Sequence, residues 1–269
     1  MSRPTVFATL TADAVEAGLD DGVGPSTCWR PAIATKRTSG PTQTLNLFAE
    51  GGYEALWAAM VDVPIRGVQF NVSWSRLEPR RGDVDATVVD RYRRALRAAR
   101  DAGLCVDLVA IDQSWPAWLG AEPALVPWTR SVLRGYVTML ADLFRDDVNQ
   151  FALVASVDRL ALGGYRLGLL PPFRRRAQAD ERAVRAVWAS LHDELATELD
   201  GRFRSPLPEV SVAGPARALT GDAVALSALL AGSGPYASAA AVLTPSTSGF
   251  TPSAQFTPEW RERLASLLV

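Results

Sequence analysis

Two hydrophobic periods alternate along this chain of 269 residues. Short apolar runs, or runs in which every second residue is apolar, indicate β-strands, and longer stretches with apolar residues three and four apart indicate amphipathic helices. Strands are predicted at residues 5–10, 67–74, 105–111, 151–155, 209–213 and 239–243. Helices are predicted at residues 51–61, 85–102, 129–145, 179–199, 222–230 and 258–268.

The order of these elements, a strand followed by a helix, predicts parallel strands joined by right-handed crossovers. The length of the chain is the usual size of one (β/α)8 barrel. We therefore expect an α/β fold of the TIM barrel type, with residues 1–269 forming one domain. Eight strands are not all visible in the pattern, so the barrel is expected to be incomplete or compressed toward its C-terminal end.

Composition and net charge limit the kinds of molecule that this protein is expected to bind. A hydrophobic fraction of 48% allows a large core, and a net charge of −1 gives no general attraction to nucleic acid or to an anionic membrane. The sequence contains no run of about 20 apolar residues and no signal-peptide pattern, which favours a soluble, cytoplasmic protein. Cys28 and Cys105 lie too far apart to suggest a disulfide framework and are expected to be reduced. Lys36 is the only lysine, a bias typical of high-GC bacterial coding.

Polar residues collect where the predicted strands end, and active sites of parallel barrels form at the carboxyl ends of the strands. These residues are Gln69 and Asn71 on the second strand, Asp112 and Gln113 after the third, and Ser156, Asp158 and Arg159 after the fourth. Asp112 and Asp158 could share a pocket, where crowding would raise the pKa of one carboxyl into the range useful for acid–base chemistry. Alternatively, Asp158 pairs with Arg159 or Arg76 at the rim and Asp112 caps a loop.

Aromatic residues near the third strand are open to two interpretations. Trp115, Trp118 and Trp128 could line the floor of a ligand site, or they could pack against the core. Asp107 lies in the middle of the third predicted strand, on the face opposite Asp112. We therefore expect Asp107 to satisfy a buried structural partner.

Other kinds of chemistry have little support. Lys36 lies in a loop rich in Gly, Ser, Thr and Pro, which argues against a Schiff-base lysine on a strand. His192 is the sole histidine and lies in the middle of a predicted helix, so we expect a structural role and neither a catalytic triad nor a histidine metal site. No glycine-rich phosphate-binding motif follows a strand, so no nucleotide cofactor is expected. No metal is expected either.

Several segments match, in the same order, the pattern of one enzyme family. They are DDGVGPSTCW at residues 20–29, FNVSWSRLEP at 70–79, GLCVDLVAIDQSWPAWL at 103–119, the end of a helix at 145–148, and Leu191 with His192. The second segment carries a Ser-Trp-Ser-Arg-x-x-Pro motif at the end of a strand. Together the segments resemble the family 1 glycoside hydrolases over roughly the first three quarters of the chain, a specific combination although each piece alone is weak.

This resemblance implies a (β/α)8 barrel and, in active members, retaining hydrolysis of β-glycosides by two glutamates about 5 Å apart. Carried onto this sequence, both glutamates are missing. The acid/base position falls on Ser156, preceded by Ala155 in place of asparagine, and the Thr-Glu-Asn-Gly motif of the nucleophile does not occur. A hydroxyl cannot act as a general acid near neutral pH without an activating partner. The sequence therefore predicts that this protein is not a retaining glycosidase.

Other sugar-binding positions of the family also differ here. The arginine that flanks the nucleophile falls on Gln69, and the His-Trp pair of the third strand falls on Asp112 and Gln113. The glutamine of the family's Gln-x-Glu-Gly motif falls on Ala14, which leaves Glu16 without its sugar-holding neighbour.

Two functional hypotheses remain. The first is a repurposed barrel that binds a small organic molecule in its mouth and performs cofactor-free acid–base chemistry, such as cyclisation, isomerisation or elimination. Its catalytic candidates are Asp112, Asp158 and Ser156, and its substrate-binding candidates are Asn71, Gln69, Gln113, Trp115 and Arg159. The second is a non-catalytic scaffold for a protein partner, a ligand or a second copy of the chain. A deep pocket lined by Asp112, Trp115 and Asp158 would favour the first, and a plugged mouth with an exposed apolar patch elsewhere would favour the second.

Overall fold

Five parallel strands form the central sheet of this protein in a computed structural model. The structure describes residues 6–10, 16, 46–61, 65–111, 114–154, 157, 159–166, 168, 171–175, 178–199, 240–242, 244–246 and 249–251. The strands of the sheet are β1 (Val6–Leu10), β2 (Ile65–Asn71), β3 (Cys105–Ile111), β4 (Gln150–Val154) and β5 (Ala240–Val242). Their order across the sheet is β4, β3, β2, β1, β5. A separate antiparallel pair is formed by β6 (Thr244–Ser246) and β7 (Gly249–Thr251).

Helices follow the first four strands, as the alternating pattern predicts. They are α1 (Gly52–Val61), the single turn α2 (Trp74–Leu77), α3 (Ala86–Asp101), α4 (Thr129–Phe144), a π-helix (Arg159–Arg166) and α5 (Gln178–Glu198). Short 3-10 turns cover Ala117–Leu119 and Pro123–Leu125. Asp85 caps α3, because its carboxylate accepts hydrogen bonds from the backbone N–H groups of Thr87 and Val88. Among the helices in the described residues, none is long and apolar enough to cross a membrane.

The two faces of the sheet differ in character. Val68 and Phe70 on β2, and Val106 and Leu108 on β3, belong to the main hydrophobic core together with side chains of the helices. The residues between them point the other way, because side chains alternate along a strand. We call this second side the inner face; it carries Gln69, Asn71, Asp107, Val109 and Ala152. Val109 and Ala152 form a small apolar cluster apart from the main core.

The sequence placed most of the described elements correctly, but the second strand differs, and the pair of β6 and β7 and the two 3-10 turns were not predicted. The second strand was predicted at residues 67–74, but it ends at Asn71 and Trp74 begins α2 instead. The indole of Trp74 stacks on Tyr136 of α4 with ring centroids 3.8 Å apart. This tertiary contact favours the helical turn, so the strand ends before the alternation of apolar and polar residues ends. The π-helix was not predicted at all. The predicted elements at 209–213, 222–230 and 258–268 lie outside the described residues.

The π-helix is held against the segment that follows it. The backbone N–H of Arg174 donates to the carbonyl of Gly164 at 2.9 Å, and the Pro171–Pro172 peptide bond is cis. A side chain at position 164 would collide with the carbonyl oxygen of Pro171, so this close approach requires glycine. The contact fixes the chain that leaves β4 on its way to α5.

Candidate functional site

The three predicted catalytic residues lie outside the described part of the chain. These are Asp112, Ser156 and Asp158, and the predicted ligand contact Gln113 lies outside it as well. Arg159 is the first residue of the π-helix, and only its backbone position is described. Their roles therefore stay predictions, and the described residues give the surroundings in which those side chains would act.

Two predicted binding residues, Gln69 and Asn71, do lie together on the inner face. Each side chain is buried, with 4% of its surface exposed. Gln69 has Thr9 of β1 and Asp107 of β3 as its Cα partners, and Asn71 has Val109 of β3. Because neighbouring Cα partners in a sheet project to the same side, a row of polar positions crosses the middle strands.

Asp107 was expected to satisfy a buried structural partner, because alternation sets it on the face opposite Asp112, and that role stays a prediction. The register places it beside Gln69 on the inner face, where it is buried with 3% exposure. Alternation along β3 alone could not reveal this, because it relates Asp107 to its own strand and not to β2.

The tryptophans near the third strand have structural contacts. Trp115 is 3% exposed within the main core, and its indole N–H donates to the carbonyl of Gly120 at 2.8 Å. The indole N–H of Trp118 donates to the carbonyl of Glu78 at 3.0 Å. Trp128 is 47% exposed, and the guanidinium of Arg81 lies 5.5 Å from its ring centroid. The structure thus gives Trp115 a packing role, and its contact with a ligand stays a prediction.

A buried carboxylate, which sequence reasoning missed as a centre of interactions, lies beyond the end of β1. Glu16 is 2% exposed and accepts hydrogen bonds from the hydroxyls of Tyr53 at 2.6 Å and Tyr92 at 2.9 Å. The guanidinium of Arg76 donates to its other oxygen at 2.9 Å, which makes an ion pair. We call these four residues, Glu16, Tyr53, Arg76 and Tyr92, the Glu16 cluster.

Burial dominates the electrostatics of this cluster. Removal from water raises the pKa of the Glu16 carboxyl above its usual value of 4.5, although Arg76 and the two tyrosines oppose the change. Burial, followed by the negative charge of Glu16, also raises the pKa of Tyr53 and of Tyr92 well above the usual value of 10.0. Both hydroxyls therefore stay protonated and remain hydrogen-bond donors to Glu16.

The Glu16 cluster is connected to the carboxyl end of β2. The backbone N–H of Ser73 donates to the hydroxyl of Tyr92 at 2.9 Å. Ser73 is 2% exposed, and its hydroxyl has no hydrogen-bond partner among the described residues. Arg76 also stacks over the ring of Phe48 at 4.6 Å. Position 16, the end of β2 and the segment before α1 are thus held as one unit.

An open groove of about 640 Å³ lies in the helical layer, away from the strand ends. It is lined mainly by α4, and Glu194 of α5 forms part of its wall. Ion pairs from Arg130 to Glu194 at 2.5 Å and from Arg134 to Glu198 at 2.9 Å join the two helices. Within the described residues, no group of three or more His, Cys, Asp or Glu side chains could hold a metal ion.

No protein-family model matches this chain. A sequence match is found with Beta-glucosidase 21 of Oryza sativa subsp. japonica, which is 28% identical over 120 residues. That match covers 43% of this chain and 23% of the rice protein.

Solved structures give a clearer result. A beta-glycosidase from Pyrococcus horikoshii has a TM-score of 0.65 at 16% identity, covering 76% of this chain and 47% of that one. The family 1 β-glucosidase from Thermotoga maritima has a TM-score of 0.60 at 15% identity, covering 75% of this chain and 47% of that one. An aphid myrosinase has a TM-score of 0.65 at 13% identity, and the match covers 77% of this chain and 47% of the myrosinase.

This chain therefore has the fold of family 1 glycoside hydrolases in a shortened form, and it spans less than half the length of these relatives. The predicted resemblance is confirmed. So is the prediction of a TIM barrel-like α/β fold that is incomplete: the described sheet has five parallel strands where the barrels of the relatives have eight.

Proposed function

We propose that this chain binds a small organic molecule at the inner face of its sheet and that it does not carry out retaining glycoside hydrolysis. The observation that carries the proposal is the polar row formed by Gln69, Asn71 and Asp107, all buried on that face. The inside of a TIM barrel is normally filled by Val, Ile and Leu. A row of buried polar side chains is unusual in this place, and this composition supports a binding role.

The second half of the proposal rests on the missing carboxylates. Retention requires one carboxylic acid that protonates the leaving oxygen and one carboxylate that attacks the sugar. Ser156 stands where the resemblance places the acid, and the motif of the nucleophile is missing from the sequence. Loss of general acid–base catalysis alone lowers a rate by about 10²–10⁴-fold.

The chemistry that remains for this chain is cofactor-free proton transfer. Asp112 and Asp158 follow adjacent parallel strands, β3 and β4, which are paired in the sheet. One carboxylate would remove a proton from the ligand while the other, kept protonated by their mutual repulsion, would return it. Ser156 would donate a hydrogen bond to the ligand between them. Isomerisation, cyclisation and elimination can each use such an acid–base pair.

A second candidate is a non-catalytic scaffold that binds a protein partner or a ligand. It is favoured by the packing of Trp115 and Trp118, whose indole N–H groups are already bonded to the main chain at Gly120 and Glu78. A scaffold would bind its partner without changing it.

A hydrolysis assay and a binding assay test the two halves of the proposal separately. Purified protein is incubated with an aryl β-glucoside, and we expect no release of the aryl group above the uncatalysed rate. Native mass spectrometry of the same preparation is expected to reveal a small molecule that leaves on denaturation. The paired change Gln69→Leu with Asn71→Leu should abolish its retention, whereas Arg94→Gln, an exposed change on α3, should not.

The outcomes separate the alternatives. Hydrolysis at an enzymatic rate would contradict the rejection of glycosidase chemistry. If the Gln69→Leu, Asn71→Leu variant retained as much of the small molecule as the wild-type protein, the inner face would not be the binding site. Isotope exchange from deuterated water into the released ligand distinguishes proton-transfer catalysis from a scaffold, because a scaffold would leave the ligand unlabelled.

A further inference from the structure

The groove of about 640 Å³ in the helical layer follows the outer side of α4 over most of its length, from Arg130 to Leu143. We propose that two copies of this chain associate through this side of α4, with the two helices packed antiparallel about a two-fold axis at the level of residues 136 and 137. In such a pair, positions equally far from that level lie opposite each other. The groove lies away from the strand ends, so the inference does not depend on the proposed function.

The middle of the groove has room for a second helix. Gly135 is exposed, and a Cβ atom there would meet nothing within 4 Å. The antiparallel arrangement sets Gly135 of one copy opposite Thr138 of the other, and Thr138 is also a small residue that lines the groove. The distance between packed helices depends on the side chains at their contact, so this pairing permits a close approach.

Two apolar side chains of the groove are only partly covered by the rest of the molecule. Met139 and Leu143 pack against the main core, but each keeps part of its surface exposed. The two-fold axis sets Met139 opposite Arg134 of the second copy, and Leu143 opposite Arg130. The aliphatic part of an arginine covers apolar surface while its guanidinium stays in water. Burial of these apolar atoms supplies the main favourable free energy of association.

The charges along α4 oppose the dipole of the helix itself. Arg130 lies in the first turn, which has no acidic residue, and Asp142 lies in the last turn, which has no basic one. A helix dipole favours the opposite placement. In the antiparallel pair the same charges become complementary. Asp142 of each copy then lies opposite Ser131 of the other copy, between Arg130 and Arg134.

These charged side chains can bind a further partner while they keep their present ones. Arg130 and Arg134 are paired with glutamates of α5, yet their side chains are 34% and 54% exposed. A guanidinium has five N–H donors, so it can bond more than one carboxylate. Asp142 is paired with Arg145 and is 65% exposed. Exposed ion pairs contribute little affinity, but they determine which way round two surfaces meet.

The size of the contact sets the expected affinity. Helix α4 has 16 residues, and a single pair of such helices buries less area than a standard protein interface. We therefore expect a weak dimer, with a dissociation constant of about 10–100 μM. Below that concentration the chain is monomeric, and substitutions at position 135 then act on the single helix alone.

Sedimentation equilibrium of the full chain, from about tenfold below to tenfold above this concentration, tests the inference. The wild-type protein is expected to change from monomer to dimer across the range. Gly135→Gln should raise the dissociation constant at least about tenfold, because its side chain would fill the groove where the two helices meet. The single helix has space for this side chain. Arg94→Gln, an exposed change on α3, is the control and should leave the dissociation constant unchanged.

Exchange of charges tests the antiparallel arrangement. Asp142→Arg sets three arginines against each other across the contact, so this variant should stay monomeric. The double change Arg130→Asp with Arg134→Asp sets three aspartates together and should do the same. An equal mixture of the two variants should form a heterodimer, because each charge then meets its opposite. Circular dichroism of each variant checks that its helices are intact.

Three results would overturn the inference. A wild-type chain that is monomeric at every concentration would contradict it, whether the groove is empty or holds another segment or protein. A dimer that resists both Gly135→Gln and Asp142→Arg would show that the copies meet through another surface. Two folded charge variants that do not associate when mixed would contradict the antiparallel pairing. If the double variant fails to fold, the first two results decide.

Discussion

Arg91 of α3 holds the segment before α1 through its whole guanidinium group. Its nitrogens donate to the backbone carbonyls of Leu47, Phe48 and Ala49 and to both carboxylate oxygens of Glu54. The Arg91 side chain is only 7% exposed. A planar fork of donors can satisfy these acceptors together, which a single ammonium group cannot do.

We therefore expect Arg91→Lys to destabilise the protein by about 2 kcal/mol, because buried carbonyls lose their donors although the charge is kept. Urea unfolding followed by circular dichroism measures the change. Arg94→Lys, an exposed substitution on the same helix, should change the free energy of unfolding by less than about 0.5 kcal/mol. Equal effects of the two substitutions would show that the guanidinium geometry is unimportant.

Glu16 gives the stability a pH dependence whose sign can be derived. Burial raises the pKa of its carboxyl in the folded state above the usual 4.5, so the folded protein binds this proton more tightly than the unfolded chain does. The stabilisation is fully present below pH 4.5 and is lost as the pH rises through the pKa of the folded state.

The variant Glu16→Gln removes this titration and keeps the shape of the side chain. We expect the wild-type advantage in unfolding free energy to be largest near pH 4.5 and to shrink as the pH rises. Urea unfolding of both proteins across that range measures the difference, and contributions from other carboxylates cancel. An advantage that grows with pH would mean that the ion pair with Arg76 outweighs burial.

Individual residues also mark the limit of what the sequence could predict. The resemblance placed Glu16 in a known motif, but its partners Tyr53, Arg76 and Tyr92 are 37, 60 and 76 residues away in sequence. No local pattern indicates such contacts. The position of Asp107 beside Gln69 was not predicted for the same reason, since this relation exists only in the pairing of two strands.

Elements were easier to predict than contacts, for a physical reason. Strand β3 was predicted with its observed bounds, because Cys105–Ile111 is mostly apolar and Gly103, at φ 77°, ends the preceding helix. Helix α3 was predicted within one residue at each end. Asp85 is a good N-cap, and the arginines of the helix alternate with a stripe of buried residues. The π-helix carries no comparable signal, since it forms through contacts with a segment further along the chain.

Two glycines in helices make a matched test of packing. A Cβ atom at Gly52, the first residue of α1, would lie 2.7 Å from the carbonyl oxygen of Leu47, a backbone atom that cannot move aside easily. A Cβ atom at Gly135, within α4, would meet nothing within 4 Å. The same substitution should therefore have opposite effects in these two helices.

We expect Gly52→Ala to destabilise the protein by about 1–3 kcal/mol through this collision. Gly135→Ala should stabilise it by about 0.5–1 kcal/mol, because alanine loses less conformational entropy in a helix than glycine does. Thermal unfolding of both variants measures the changes. Destabilisation by Gly135→Ala would show that a partner approaches this exposed side of α4.

At the scale of the whole molecule, the sheet order sets the pattern of local stability. Strands β2 and β3 each have two parallel neighbours and lie under the helices, whereas β5 has only three residues and pairs with β1 alone in the described sheet. Opening free energies are largest for buried central strands and smallest at frayed edges.

Hydrogen–deuterium exchange read by mass spectrometry should show this order. We expect peptides from residues 105–111 to exchange most slowly and peptides from residues 240–242 to exchange fastest among the strands of the sheet. Uniform protection would indicate that the sheet opens in one step. Slower exchange in β5 than in β3 would contradict the described order.

The sequence predicted the architecture of the whole molecule better than its chemistry. Repeated strand and helix signals, with the motif segments at residues 20–29, 70–79 and 103–119, were enough to indicate a shortened glycosidase-like fold. The residues that close the predicted catalytic site follow the ends of β3 and β4, where neither period constrains the backbone. The choice between catalysis and scaffolding therefore rests on the experiments proposed above.

The parallel pairing of Phe7 with Ala240 also affects how the protein is made. Synthesis begins at the amino terminus, so β1 to β4 and their crossover helices can leave the ribosome and assemble well before β5 exists. Until translation delivers β5, the side of β1 that pairs with it offers bare N–H and C=O groups to any neighbouring nascent chain. Slow elongation between β4 and β5 would therefore lengthen the period in which aggregation competes with the pairing of β1 and β5.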